Sequence, residues 1–176
     1  SNGGGTAFGG STSTASITVT AVNDKPTLDA LSNRTVYEDL VATTGTVNGF
    51  ADADEGGGSD ENSQTITFNV TNNNNALFSA QPAIDGNGRL TFTPATDLFG
   101  TATVTVTAQD NGGGDNTSDA RTFTITVRSS NDAPTVALGT NPNIAEDLGT
   151  QTINGFATPN SNGGPDEDNQ TFKIGR

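Results

Sequence analysis

Cysteine, histidine, methionine and tryptophan are all absent from this chain of 176 residues, which has a single tyrosine. Without cysteine there are no disulfides and no thiolate metal sites. Without histidine the commonest general base and the commonest zinc ligand are missing. Basic residues are scarce: seven Lys and Arg stand against twenty Asp and Glu, a formal charge of −13. Nucleic acid and anionic membrane both require clustered Lys and Arg, so neither is an expected partner. No apolar run approaches the roughly 18 residues of a membrane-spanning helix, so direct membrane insertion is not expected. Nucleophilic catalysis needs a base beside Ser or Thr. Glycoside hydrolysis needs two acids facing across a partly apolar cleft. Here the acids lie in Gly-rich loops, and no enzymatic activity is expected.

What is present repeats. Asn23-Asp24-Lys25-Pro26-Thr27 returns as Asn131-Asp132-Ala133-Pro134-Thr135, and Glu38-Asp39-Leu40 as Glu146-Asp147-Leu148, both 108 residues apart. Asn48-Gly49-Phe50-Ala51 returns as Asn154-Gly155-Phe156-Ala157 at 106, and Ile17-Thr18-Val19 as Ile125-Thr126-Val127 at 108. Asn2-Gly3-Gly4-Gly5 matches Asn111-Gly112-Gly113-Gly114 at 109. A fixed period marks an array of modules. The register predicts the C-terminal strands of one partial repeat (1–22), a complete repeat (23–130) and the N-terminal strands of a further partial repeat (131–176). The chain reads as a window onto a longer array.

Within the complete repeat the apolar residues alternate, the period of a half-buried strand. Ala102, Val104, Val106, Ala108 and Phe123, Ile125, Val127 are the clearest runs, interleaved with Thr. Turn signals such as Asp85-Gly86-Asn87-Gly88 separate the runs. The pattern predicts strand A over 26–37 with a break near Ser32-Asn33, B 43–51, C 64–70, D 76–84, E 89–94, F 101–109 and G 121–128. Seven short strands in such a length fit an all-β, seven-stranded antiparallel immunoglobulin-like sandwich.

Alternating strand direction assigns the loops to ends. One end receives Asn23, Asp24, Asp52, Asp54, Asp60, Glu61 and Asp110. The other receives Glu38, Asp39, Asp97, Asn131 and Asp132. Both sets fall at repeat junctions, with Glu146 as the repeat of Glu38. Mixed carboxylate and amide oxygens from distant segments are what Ca²⁺ takes, six to eight at a time. An equally simple reading makes each acid a solvated turn former. An EF-hand does not fit: Gly57 stands at position six from Asp52, but position twelve is Ser63 where the loop needs a bidentate Glu.

At these residues the chain resembles the cadherin-like tandem repeats of bacterial surface proteins and adhesins. Ala108-Gln109-Asp110-Asn111-Gly112 is similar to the A-x-D-x-G segment closing the sixth strand. Phe123 to Val127 followed by Asn131-Asp132-Ala133-Pro134 is similar to the last strand and its linker, and Asp52-Ala53-Asp54 to the D-x-D motif. The resemblance implies calcium held by Asp52, Asp54, Asp110 and Asn23/Asp24 at one junction, and by Glu38, Asp97 and Asn131/Asp132 at the next. There are departures. Ala21 and Ser129 stand where the linker carries a further Asp, Thr158-Pro159-Asn160 replaces the second D-x-D, and Asp97-Leu98-Phe99 lacks the second acid of D-R-E.

The expected role is therefore structural: a calcium-stiffened spacer in a large extracellular fibre or bacterial cell-surface adhesin, its partners being neighbouring repeats of the same chain. One alternative is a filament subunit in which identical chains pair strands. Another is a carbohydrate-binding module, which usually presents aromatic platforms that this chain scarcely has.

Overall fold

The computed structural model describes residues 14–39 and 46–161, together with Glu167, Asn169 and Thr171. The expected start of strand B at 43–45 and the Gly-rich opening at 3–10 lie outside them. The architecture is all-β. The ten strands among the described residues are β1 (Thr27–Leu28), β2 (Arg34–Tyr37), β3 (Ala53–Asp54), β4 (Thr67–Asn72), β5 (Phe78–Ile84), β6 (Leu90–Pro94), β7 (Gly100–Gln109), β8 (Arg121–Arg128), β9 (Thr135–Leu138) and β10 (Ala157–Ser161). A 3-10 turn spans Asn75–Leu77. No helix among the described residues is long and apolar enough to cross a membrane.

Alternation decides which side of each strand is dry. In β7, Ala102, Val104, Val106 and Ala108 are fully buried while the intervening Thr residues face outward. β8 does the same with Phe123, Ile125 and Val127. Thr suits the outer face because its β-branch favours extended backbone and its hydroxyl stays hydrated. β7 pairs antiparallel with β8 on one side and β4 on the other. β2 closes the layer by running parallel to β8, Arg34 opposite Ile125 and Val36 opposite Val127. The layer order is thus β2-β8-β7-β4.

The facing layer is more broken. β1 pairs with β3, and β5 with β6. Between them Val47 and Leu90 exchange both backbone hydrogen bonds (2.9 and 3.0 Å), while the Phe50 and Ala51 N–H groups donate to the Gly88 carbonyl (2.9 and 3.0 Å). Leu28, Ala51, Leu77, Phe78, Ile84, Leu90 and Phe92 from this side meet the β7 and β8 residues in one core. Fully burying a side chain of this size contributes about 1.5–3 kcal/mol. Two edge-to-face ring pairs lie within it: Phe50 with Phe123 (4.7 Å between centroids) and Phe78 with Phe92 (5.9 Å).

Four sequence expectations change. The sandwich is not antiparallel throughout, because the second half of strand A runs in the same direction as β8, beside which it lies. Strand A is two strands in different layers, and the chain crosses at the anticipated break, where Asn33 Oδ1 accepts the Thr124 N–H (2.8 Å). Ala53–Asp54, read as loop, continues the strand that pairs with β1, because Leu28 and Ala53 share the apolar side of that ladder. Residues 14–22 form no strand, and Ile17 and Val19 are 90% and 87% exposed. Their repeats in β8 sit between β7 and β2, whereas residues 14–22 pair with no strand among the described residues. Pro82 is tolerated in β5 because that strand is an edge, interrupted by register shifts between Phe78, Ala80 and Ala83.

One ladder follows the sequence period. The pairing of Leu28 with Ala53 recurs as Val136 with Pro159 between β9 and β10.

The turn before β6 carries a pH prediction. Asp85 accepts the N–H groups of Asn87 (3.0 Å) and Arg89 (3.1 Å) and the Arg89 Nε–H (3.0 Å). These donors, the Arg89 amide foremost, hold its carboxyl below the ordinary value of 3.8. The turn therefore has its full support above that value and loses it as pH falls through the lowered pKa. Carboxyl NMR should show Asp85 titrating below 3.8, and a midpoint at or above that value contradicts this hydrogen-bonding pattern.

Candidate metal centre

Three segments come together around residues 131–132, where the Asn-Asp pair of the sequence period returns. β2 turns at Glu38-Asp39, the β6–β7 connection passes through Asp97, and the chain leaving β8 reaches Asn131-Asp132. Asp97 has a positive φ of 57°, a left-handed conformation that Asp adopts more readily than most residues. Carboxylate oxygens of Asp39, Asp97 and Asp132 lie within 4.8 Å of one another. For calcium, with ligands roughly 2.3–2.6 Å away, oxygens on opposite sides of one ion are about 5 Å apart. The donor type and spacing therefore fit a hard divalent cation. It would be held by Asp39, Asp97 and Asp132 and would supply the counter-charge that three mutually repelling carboxylates need.

Glu38 sits behind this group, 3% exposed, with Oε1 accepting the Ser130 N–H (2.7 Å). Its own N–H donates to the Arg128 carbonyl (3.1 Å), extending the β2–β8 ladder to the junction. Asn131 Nδ2 donates to the Asp132 carbonyl (3.3 Å). Glu146, the repeat of Glu38, is in an exposed turn and belongs to no carboxylate group among the described residues.

The opposite end is organised differently. Asn23 Nδ2 donates to the Asp24 and Asp115 carbonyls (3.1 and 3.2 Å) and reaches Asp110 Oδ2 (3.5 Å), while Asn23 Oδ1 accepts from Gln64 Nε2 (2.9 Å). Asp110, 3% exposed, accepts the Gly112 N–H (2.9 Å). Asp52 and Asp54 line a separate shallow cleft with Thr27 and Asp29, and Asp54 Oδ1 accepts the Gly56 N–H (2.9 Å). Asp24, Asp52, Asp54 and Asp110 thus do not form a three-carboxylate group among the described residues. The amides of Asn23 and Gln64 and the backbone of the Gly-rich loops supply the donors that link this end.

The sequence places Glu61 at the Asn23 end without a role of its own and does not single out Glu167, yet both are buried acceptors. Glu61, 2% exposed, accepts the Asp24 N–H (2.7 Å) and the Gly57 N–H (3.2 Å). Glu167, 3% exposed, accepts the Asp132 N–H (2.8 Å). The signal was available, since Gly57-Gly58-x-Asp60-Glu61-x-x-Gln64-Thr65 returns as Gly163-Gly164-x-Asp166-Glu167-x-x-Gln170-Thr171, 106 residues later.

Nearby, Lys25 Nζ and Asp119 form an exposed ion pair (2.7 Å). The hydrogen bond between them raises the lysine pKa and lowers that of the aspartate. Such a surface pair contributes little. No protein-family model and no curated protein matches this chain.

Proposed function

We propose that this chain is a run of cadherin-like, immunoglobulin-like sandwich repeats with boundaries at 1–22, 23–130 and 131–176. In this reading they serve as a non-catalytic, calcium-stiffened spacer in a bacterial extracellular fibre or surface adhesin. One observation carries the reading. Carboxylates from three segments distant in sequence, Asp39, Asp97 and Asp132, converge within 4.8 Å at the point where one repeat passes into the next. The layer order β2-β8-β7-β4, with β1, β3, β6 and β5 facing it across one core, supports the sandwich. Glu38, Glu61 and Glu167 each accept a backbone N–H, which gives them structural work.

An ion bound at Asp39, Asp97 and Asp132 ties the end of β2, the β6–β7 loop and the linker to one point. The chain leaving β8 is then held against the body of the repeat, and the next repeat is held with it. Mixed carboxylate sites in extracellular modules bind calcium at about 0.1–1 mM. With a dissociation constant of about 0.5 mM, 10 mM calcium stabilises the folded state by about 1.8 kcal/mol, or a rise in melting temperature of roughly 5–10 °C. Calorimetric titration and thermal melts with and without chelator test this. Asp97→Asn and Asp132→Asn should each weaken binding at least about tenfold and remove most of the calcium-dependent rise in melting temperature. Equal melting temperatures of the parent chain in calcium and in chelator would remove the metal from the account.

A further inference from the structure

We propose that Glu61 and Glu167 are positioning residues that fix the linker between repeats without any ion, each by holding the amide of the linker aspartate. Donor and acceptor both recur: Asp24 N–H to Glu61 at 2.7 Å and Asp132 N–H to Glu167 at 2.8 Å. The aspartates are 108 residues apart and the glutamates 106. Both carboxylates are almost wholly buried. A carboxylate in that position is costly unless it is hydrogen-bonded. An N–H donor to an ionised oxygen makes one of the stronger hydrogen bonds available, and one of the shorter.

The surrounding loop is built to this purpose. Glu61 has its second oxygen on the Gly57 N–H, so both oxygens are committed to backbone donors. A Cβ at Gly57 would lie 2.6 Å from the Glu61 carboxyl carbon, so the loop closes over the carboxylate only with glycine there. Glu167 Oε2 is buried with no hydrogen-bond partner among the described residues, and the repeat of Gly57, Gly163, lies outside them. On the other side of the joint Glu38 takes the Ser130 N–H at 2.7 Å. Alternate amides of one linker, those of Ser130 and Asp132, are therefore gripped by glutamates from the two repeats it connects. None of the three carboxylates proposed above to hold the ion, those of Asp39, Asp97 and Asp132, is an acceptor in this clamp, and it stands or falls independently of the metal.

The test is residue-resolved amide hydrogen exchange on the full 176-residue chain in chelator. The Asp132 amide should be protected, and Glu167→Ala should speed its exchange by about tenfold or more. The Ser130 amide, held by Glu38, should not change. Glu167→Gln keeps a carbonyl acceptor and should restore part of the protection, which a general loosening of the third repeat would not do. Glu61→Ala should free the Asp24 amide in the same way. If that variant unfolds the 23–130 core, Glu167→Ala still decides, because Glu167 lies outside that core. An Asp132 amide that exchanges at the free-peptide rate in the parent chain, or one indifferent to Glu167→Ala, overturns the proposal. Loss of calcium binding would leave it standing.

Discussion

Replacing Phe123 with alanine should destabilise the 23–130 repeat by about 3–5 kcal/mol, a large share of the roughly 5–15 kcal/mol that holds a domain of this size together. The ring is 2% exposed, lies opposite Val104 on β7 and meets Phe50 edge to face at 4.7 Å. It therefore bridges the two layers at the point where the facing layer is least regular. Removing it leaves a cavity walled on one side by the fully buried Val104 and Ile125, both fixed in ladders on either side and unable to collapse inward. Denaturant unfolding followed by fluorescence of Tyr37 or by circular dichroism should show a lower midpoint at an unchanged slope. A loss below about 1 kcal/mol would mean that Phe50 and its neighbours refill the space, and that the interlayer contact is looser than the ring geometry implies.

Gly88→Ala should be comparably damaging for a different reason. Gly88 has φ +70°, and a Cβ there would run into the Ala51 carbonyl oxygen. The left-handed backbone alone costs an L-residue roughly 1–2 kcal/mol. The collision adds to this by pushing apart the segment in which Phe50 and Ala51 donate to the Gly88 carbonyl. A total of about 3 kcal/mol or more is expected. Gly86, two residues earlier, is the internal control. A Cβ on it would make only ordinary contact, 3.7 Å from the Ile66 carbonyl, so Gly86→Ala should change stability by no more than about 0.5 kcal/mol. If the two substitutions cost the same, the close approach of the 88 turn to residue 51 is not what joins β6 to its neighbour.

Much of this architecture can be read from the chain because its signals are local. Thr at every second position of β7 and β8 marks the wet face, and the apolar residues between mark the dry one. Once the strands alternate, the ends to which Asp39, Asp97 and Asp132 belong follow from counting. The remainder depends on contacts that composition hides. Acids in a Gly-rich loop are ordinarily solvated, and nothing in Asp60-Glu61 itself says that the second is buried. It is buried because the incoming linker brings an amide that needs an acceptor. Ala53–Asp54 is strand although its acids read as turn, because the ladder partner at Thr27–Leu28 supplies the order that local propensity lacks. Strand A divides between layers because Asn33 finds a donor on β8, a contact between residues 91 apart that no local window contains.

The parallel run of β2 beside β8 bears on how such a repeat withstands being pulled. The chain enters near Asp24 and leaves near Asp132, at opposite ends. Once the two-residue ladder of β1 yields, tension applied between the two ends of the chain draws β2 and β8 in opposite directions along their shared length. The four registered pairs from Arg34–Ile125 to Tyr37–Arg128 are then sheared together instead of being unzipped one after another, and resistance to stretch is set by the whole row of bonds acting at once.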